Sequence, residues 1–198
     1  MKKIKVAIDA GPLTSGHSFR GIGFHTKELV EYLKKENDID LNLVDFSKED
    51  LGRFDIVHYQ YFHPYFITLP LKKQGKTVVT IHDLIYLIYP EHYHADIKGR
   101  IRFMLQKFLV KGADAIITIS ETSKKDIVRF LGVDEEKIFP IHLAPREIFK
   151  PIKDIKKLEE VRRKYKLPQK FVLYVGDVNY NKNILGLAKA CKLADIPL

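Results

Sequence analysis

The amino-acid sequence predicts an α/β fold, in which a Rossmann-like parallel sheet carries helices on both faces. Two observations predict it. Short apolar runs rich in β-branched residues recur along the 198-residue chain, and each has the length of a buried strand. Segments with apolar residues at helical spacing separate several of these runs. Alternation of this kind is typical of parallel sheets, because a parallel connection needs a crossover that is usually a helix.

Six apolar runs are interpreted as strands. They cover residues 4–9, 41–46, 54–60, 76–83, 114–120 and 137–143, and Pro140 interrupts the last of them. Helices are predicted over residues 21–35, 96–111 and 120–131. The last of these helices begins with Ser120 as a candidate N-cap, because a serine oxygen can accept from the free amides of a first turn.

A change of composition follows the sixth strand. Residues 143–157 carry two prolines and many charges, which is typical of a linker, and a helix is predicted from about 154 to 165. A strand, a loop and a helix follow. We therefore divide the chain into a first domain (1–150), a linker with a helix (151–168) and the start of a second Rossmann-like domain (169–198). Because one strand and one helix cannot bury a core, we expect the chain to be the front portion of a longer two-domain protein.

Composition and charge narrow the class. Hydrophobic residues make up 45% and charged residues 30%, which indicates a globular protein. The net charge of +9 suits phosphorylated ligands, an anionic membrane surface or nucleic acid, and equally a lysine-rich soluble surface. The single cysteine, Cys191, excludes an internal disulfide. No signal peptide or spanning run is found, so we expect a cytoplasmic protein whose membrane contact, if any, is peripheral on the inner face.

Glycines begin the first predicted helix. Gly21-Ile22-Gly23 lacks the third glycine of the dinucleotide fingerprint, its loop is too long for a Rossmann turn, and the Walker pattern is absent. We therefore reject both classes of nucleotide loop. Amides at a helix start still attract anions, glycine lets a diphosphate approach closely, and Arg20 adds positive charge. The alternative is a surface turn in which glycine only supplies backbone freedom.

A histidine and an aspartate end the fourth predicted strand in the segment TIHDL. Ligands bind outside the carboxyl ends of strands in open parallel sheets, so His82 is placed to donate to a sugar hydroxyl or to a developing charge. Asp83 is placed to orient the histidine or to cap the segment after the strand. The alternative for His82 is a ring that backbone groups satisfy.

Two further segments have both a functional and a structural interpretation. In HYQYFHPYF, Tyr61 and Phe62 are candidates for a stacking wall that binds a sugar acceptor, or for core packing after the third strand. The helix over 96–111 carries basic residues around an apolar stripe. Its charges suit an anionic lipid surface, whereas the stripe is expected to pack on the sheet.

Taken together, these segments resemble a family 4 glycosyltransferase of the GT-B fold. The resemblance covers nearly the whole chain and depends on the order and spacing of motifs that are each moderately specific. The matching segments are KVAIDAGPLTSG, RGIGFHTKELV, TIHDL, the SETSK segment with the strand after it, and FVLYVGDVNYNKNILGLAKA. The last of them resembles the entry into the donor-binding domain of that family.

The resemblance implies two Rossmann-like domains and a retaining hexosyltransferase. The first domain would bind a saccharide or lipid-linked acceptor, and the second a GDP- or UDP-linked sugar, with no metal or other cofactor. Gly21, Ile22 and Gly23 would contact the donor diphosphate. His82 would lie against the transferred sugar. Lys182 would neutralise the leaving diphosphate, where a fixed cation stabilises developing charge.

Two positions depart from the family pattern. Asp177 follows Gly176 where many members have arginine, and Asn181 precedes Lys182 where many also have arginine. An acid near a diphosphate is unfavourable unless it faces elsewhere, whereas Asn181 can still donate hydrogen bonds. The glutamate-rich donor motif of the family would lie beyond Leu198. We therefore expect this chain alone to be catalytically inactive.

Two other function classes remain as alternatives. One is a catalytically silent sugar-binding or scaffold protein, which the replacements around Lys182 keep open. The other is a basic nucleic-acid-binding module, which the charge permits. No recognised module fits and the lysines are scattered, so nucleic acid is not expected as a partner.

Overall fold

A six-stranded sheet lies in the first part of the computed structural model, which describes residues 2–14, 16 and 20–198. The strands are β1 (Ile4–Asp9), β2 (Ile39–Val44), β3 (Ile56–Tyr59), β4 (Lys76–Ile81), β5 (Ala115–Thr118) and β6 (Ile138–Pro140). All neighbouring strands are parallel, and their order is β2-β1-β3-β4-β5-β6. The predicted α/β parallel sheet is confirmed, and each strand overlaps one of the six predicted runs.

Five helices connect the strands in the described part of this region. They are α1 (Gly11–Thr14), α2 (Gly21–Leu33), α3 (Ile85–Ile88), α4 (Ile97–Lys111) and α5 (Glu121–Asp126), and α5 continues as a π-helical segment over Ile127–Leu131. Ser120 is the N-cap of α5, as predicted, because its side chain accepts from the Ser123 amide. Gly132 ends the π-helical segment with φ 64°, a left-handed conformation that glycine adopts without strain.

The core lies on both faces of the sheet because successive side chains of a strand point to opposite faces. On one face, Val6 and Ile8 pack with Val30 of α2. Ala7, between them in sequence, belongs to the larger cluster on the other face, with Val57 and other buried residues of the central strands. A parallel sheet buried on both faces is stabilised mainly by this apolar burial.

The strand order creates a crevice at the carboxyl edge of the sheet. β1 pairs with β2 on one side and with β3 on the other, so the connections leave β1 and β3 in opposite directions. Such a topological switch point is where open α/β sheets bind ligands. The fold therefore directs attention to the ends of β1 and β3.

The chain divides into two compact units, Met1–Leu143 and Ala144–Leu198. The second unit contains α6 (Ile155–Lys164) and α7 (Ile184–Leu193), and Asp154 caps α6 by accepting from the Lys156 and Lys157 amides. The strand predicted after residue 169 is not paired into a sheet in the described structure. A strand needs a neighbour to form a ladder, and residues 144–198 do not supply one.

The apolar stripe of α4 does not pack on the sheet, so that prediction is wrong. The inner face of the helix is formed by other residues, including Gly99, Gln106 and Val110, which are buried. Gly99 allows close approach, because a Cβ there would lie 3.6 Å from the Cβ of Tyr65. Gln106 is held by the Thr68 hydroxyl, which donates to its Oε1 at 3.0 Å. These contacts fix the rotation of the helix and turn the apolar stripe outward.

Among the described residues, none of the helices combines the length and the apolar character needed to cross a bilayer.

Candidate active site

A cavity of about 290 Å³ lies at the switch point. Asp9 at the end of β1 and Tyr59 at the end of β3 line it, together with Gly11, Pro12, Gln60, Tyr61, Ile67 and Thr68. Gly11 keeps the loop after β1 close to Asp9, since its amide donates to Asp9 Oδ1 at 3.1 Å and an added Cβ would lie 3.0 Å from Oδ2. The cavity is therefore a built feature of the carboxyl edge.

Gln60 is the residue of this cavity that sequence reasoning missed. It is 1% exposed, and neither its side-chain oxygen nor its nitrogen has a hydrogen-bond partner among the residues that the structure describes. Leaving a buried amide unpaired costs about 1–3 kcal/mol per group, so a ligand hydroxyl is the natural partner. The only signal in the sequence is a polar residue at the end of a buried strand, and the strand order was needed to place it at the switch point.

His82 lies directly after β4 with one ring nitrogen available. Its Nε2 is buried and has no hydrogen-bond partner within the described parts of the chain. Burial and the neighbouring His25 lower the pKa of His82 to about 4, and a hydrogen bond in which the ring donates to the Gln60 backbone opposes that shift. The ring is therefore neutral near pH 7 and presents Nε2 as an acceptor, whereas the sequence suggested a donor.

Two more histidines surround His82. The ring of His25 on α2 meets it edge-on, with centroids 4.9 Å apart and an interplanar angle of 89°. His58 on β3 places its Nε2 at 2.8 Å from Thr80 Oγ1. Burial lowers the pKa of His25, and burial together with His25 lowers the pKa of His58 to about 4. Protonating any one of the three would place a charge in a poorly solvated position beside another ring.

The start of α2 belongs to the same site, because this helix also carries His25. The first backbone hydrogen bond of the helix among described residues joins Phe24 N to Arg20 O at 3.1 Å. The amides of residues 21–23 therefore precede the hydrogen-bond ladder and lie at the positive end of the helix dipole. No described atom lies within 4 Å of a Cβ built on Gly21, so there is room beside this turn for a bulky anion.

Tyr61 links Arg20 and Asp83 to this edge. Burial first, and then Tyr86, raise the pKa of Tyr61 to about 12, while the charge of Arg20 opposes the shift and that of Asp83 adds to it. Asp83 Oδ1 accepts from the Ile85 amide at 3.2 Å, so it caps the turn that begins α3 rather than orienting the histidine.

Phe62 is not part of an accessible wall. It is 5% exposed and belongs to the larger core cluster, because the chain turns inward after β3. Of the two candidate acceptor residues, the structure keeps only Tyr61, which is half-buried and lines the cavity, at the surface of the site.

The SETSK segment supports His82 from behind. Ser123 Oγ donates to the His82 carbonyl at 3.1 Å, and Ser120 Oγ lies 3.1 Å from the same hydroxyl. The cap of α5 is thereby tied to the backbone that presents the histidine ring. These contacts give the serines of this segment a positioning role.

We expect Ser123→Ala to lower the turnover of the complete enzyme by about tenfold, because losing one hydrogen bond of about 1 kcal/mol loosens the backbone at His82. Thr122→Ala, one residue away and exposed, is the matched control. Steady-state kinetics of both variants test this expectation. Equal rates for the two variants would remove the positioning role.

Lys182 and Asn181 belong to the second compact unit and lie in a 3₁₀ turn, Tyr180–Lys182. Asn183 follows with φ 48° and caps α7 by accepting from the Gly186 amide at 3.2 Å. The side chain of Lys182 is exposed. The roles of Lys182 and Asn181 toward a diphosphate stay predictions.

Among the described residues, no group of three or more His, Cys, Asp or Glu side chains is arranged to hold a metal ion.

Sequence comparison agrees with this fold and this edge. The family called Glycosyltransferase Family 4 matches residues 40–144, which run from β2 past β6 and include His82 and the SETSK segment. The chain belongs to glycosyltransferase family 4.

Two relatives from Escherichia coli illustrate the relationship. The O-antigen chain mannosyltransferase B is 34% identical over 143 residues, which are 70% of this chain and 36% of that protein. The serotype-specific mannosyltransferase WbdA is 30% identical over 119 residues, 60% of this chain and 15% of that protein. The chain thus spans well under half the length of either relative.

Proposed function

We propose that the protein transfers a hexose from a nucleotide-diphospho-sugar to a saccharide or lipid-linked saccharide acceptor, with retention of anomeric configuration. One observation carries the proposal. The open start of α2, the unpaired Nε2 of His82 and the unpaired amide of Gln60 share the carboxyl edge of a family 4 sheet. Mannose is the first sugar to test, because both relatives are named mannosyltransferases.

Each group has a distinct task in this proposal. The amides of residues 21–23 and the guanidinium of Arg20 bind the donor diphosphate. His82 Nε2 accepts a hydrogen bond from a hydroxyl of the transferred sugar. The amide of Gln60 pairs with hydroxyls inside the switch-point cavity. Lys182, with Asn181 as a hydrogen-bond donor, stabilises the departing diphosphate.

Transfer assays with the protein produced from its complete reading frame test this function. GDP-mannose and UDP-hexoses are offered with saccharide and lipid-linked acceptors, and NMR of the product reports its anomeric configuration. Transfer with retention supports the proposal. Binding of a sugar nucleotide without turnover would favour a silent sugar-binding protein. Oligonucleotide binding with a steep salt dependence, and no sugar-nucleotide binding, would favour a nucleic-acid module.

Gln60→Leu should stabilise the fold and impair transfer. The variant removes two unpaired buried polar atoms, so we expect the free energy of unfolding to rise by about 1–2 kcal/mol, while kcat/KM falls at least about tenfold. Urea denaturation and steady-state kinetics measure the two effects.

Thr77→Val is the matched control for Gln60→Leu. Thr77 Oγ1 is also buried and has no partner in the described structure, but Thr77 lies near the start of β4, at the opposite edge of the sheet. We expect this variant to stabilise the fold without loss of transfer. A Gln60→Leu variant with full activity would exclude Gln60 from substrate binding.

A further inference from the structure

The outward stripe of α4 forms an apolar surface that no described residue covers. Ile97, Ile101, Met104 and Phe108 recur every three or four residues and are 79%, 62%, 67% and 74% exposed. Because this spacing places them on one face, they form a continuous strip along a helix of 15 residues, about 22 Å long. We call these four residues the α4 stripe. Scattered apolar residues at a surface are ordinary, but a strip of this length marks an interaction site.

Positive charge borders the α4 stripe on both sides. The helix contains five basic residues and no acidic residue, and helical geometry places them on either side of the stripe; they are Lys98, Arg100, Arg102, Lys107 and Lys111. The occupant of this face must therefore be apolar where it meets the stripe and anionic at its border.

An apolar groove continues the α4 stripe at the carboxyl end of the helix. It has a volume of about 380 Å³, and Phe108 lines it together with Leu69, Leu71 and Leu109. Leu71 is 75% exposed, so the apolar surface extends beyond the helix. Lys73 and Lys111 also line the groove, and Lys73 is paired with Asp114. The groove therefore combines apolar walls with cations.

We propose that the α4 stripe docks on a bilayer of anionic phospholipid. Phosphate groups pair with the bordering lysines and arginines, the stripe enters the acyl boundary, and an acyl chain occupies the groove. Charge selects this occupant over a second copy of the chain, because a symmetric contact would bring two sets of five cations together without an acid on either helix.

Docking also orients the candidate active site, a point that rests on the proposed function. The first turn of α4 lies against Tyr65, and the Tyr65 hydroxyl donates to the carbonyl oxygen of Tyr86 at 3.2 Å. Tyr86 also raises the pKa of Tyr61, which lines the switch-point cavity. A bilayer along α4 would thus present a lipid-linked acceptor beside these aromatic rings, which selects the lipid-linked class of acceptor.

Vesicle co-sedimentation of the 198-residue chain tests the docking. We expect binding to vesicles of phosphatidylglycerol and phosphatidylcholine, at least tenfold weaker binding to pure phosphatidylcholine, and weaker binding at high salt. Ile101→Ser combined with Phe108→Ser should reduce binding at least tenfold. Leu173→Ser combined with Val175→Ser is the matched control, since these apolar side chains are 75% and 85% exposed in the other compact unit.

Charge reversal supplies the second arm of the test. Lys107→Glu combined with Lys111→Glu should abolish the preference for anionic vesicles, whereas the same charge change at Lys2 and Lys3, which are exposed, should not. Circular dichroism checks that each variant stays folded. Binding that ignores the α4 substitutions, or self-association of the chain through α4 without vesicle binding, would overturn the proposal. Since the assay contains no sugar nucleotide, failure of the proposed transfer activity would leave its result unaffected.

Discussion

His82→Ala should lower the turnover of sugar transfer by about 100-fold or more while leaving the protein folded. The ring is held by the Gln60 backbone and presents a buried, unpaired Nε2 to the site. A fixed group that contacts the reacting sugar in a poorly solvated site is worth about 3–4 kcal/mol of transition-state stabilisation. The folded state loses little, because His82 is outside the two hydrophobic clusters and its Nε2 has no described partner to lose.

Kinetics and thermal denaturation of the complete enzyme measure this effect. His94→Ala, at an exposed position, serves as the control for loss of an imidazole. His82→Gln should recover part of the rate, because its side-chain oxygen can accept a hydrogen bond near the position of Nε2. A His82→Ala enzyme with wild-type kcat would show that the ring does not contact the reacting sugar.

Acidification should destabilise the fold through the buried histidines. The pKa values of His58 and His82 fall from about 6.5 in the unfolded chain to about 4 in the folded protein. Between these pH values the unfolded chain binds protons that the folded protein does not. The stabilisation is therefore fully present above pH 6.5 and is lost as the pH falls towards 4, by roughly 3 kcal/mol in total.

Urea denaturation at pH 7 and at pH 4.5 tests this expectation. His82→Gln should keep more of its stability at pH 4.5 than the wild type does, because one titrating ring is gone. His94→Gln, at an exposed position, should behave like the wild type. If His82→Gln loses as much stability on acidification as the wild type, burial of His82 is not what makes the fold acid-sensitive.

The sequence was sufficient for the sheet and for the edge at which His82 lies. β-branched runs predicted the strands, since a buried parallel strand needs little besides apolar side chains, and the end of β4 placed His82 beyond the sheet. Strand ends were less certain. β6 stops at Pro140, three residues before the predicted end, because proline has no amide to donate to a further ladder.

Features that depend on tertiary contacts were not predictable. Gln60 acquires its meaning only when β1 and β3 are known to be neighbours. The sequence periodicity of α4 identified an apolar stripe correctly, but hydropathy does not say which face a helix buries. Gly99 against Tyr65 and Gln106 against Thr68 decide that rotation, and both are long-range contacts. Phe62 was ambiguous for the same reason.

The position of a sugar nucleotide relative to His82 is measured most directly by NMR of the complete protein labelled with ¹⁵N-histidine. Adding GDP-mannose, and then UDP-hexoses, should move the Nε2 resonance of one buried histidine saturably, and His82→Gln should remove that resonance. Saturable binding of a sugar nucleotide with no change at His82, or no binding of any sugar nucleotide, would contradict a transferase site at the carboxyl edge of this sheet.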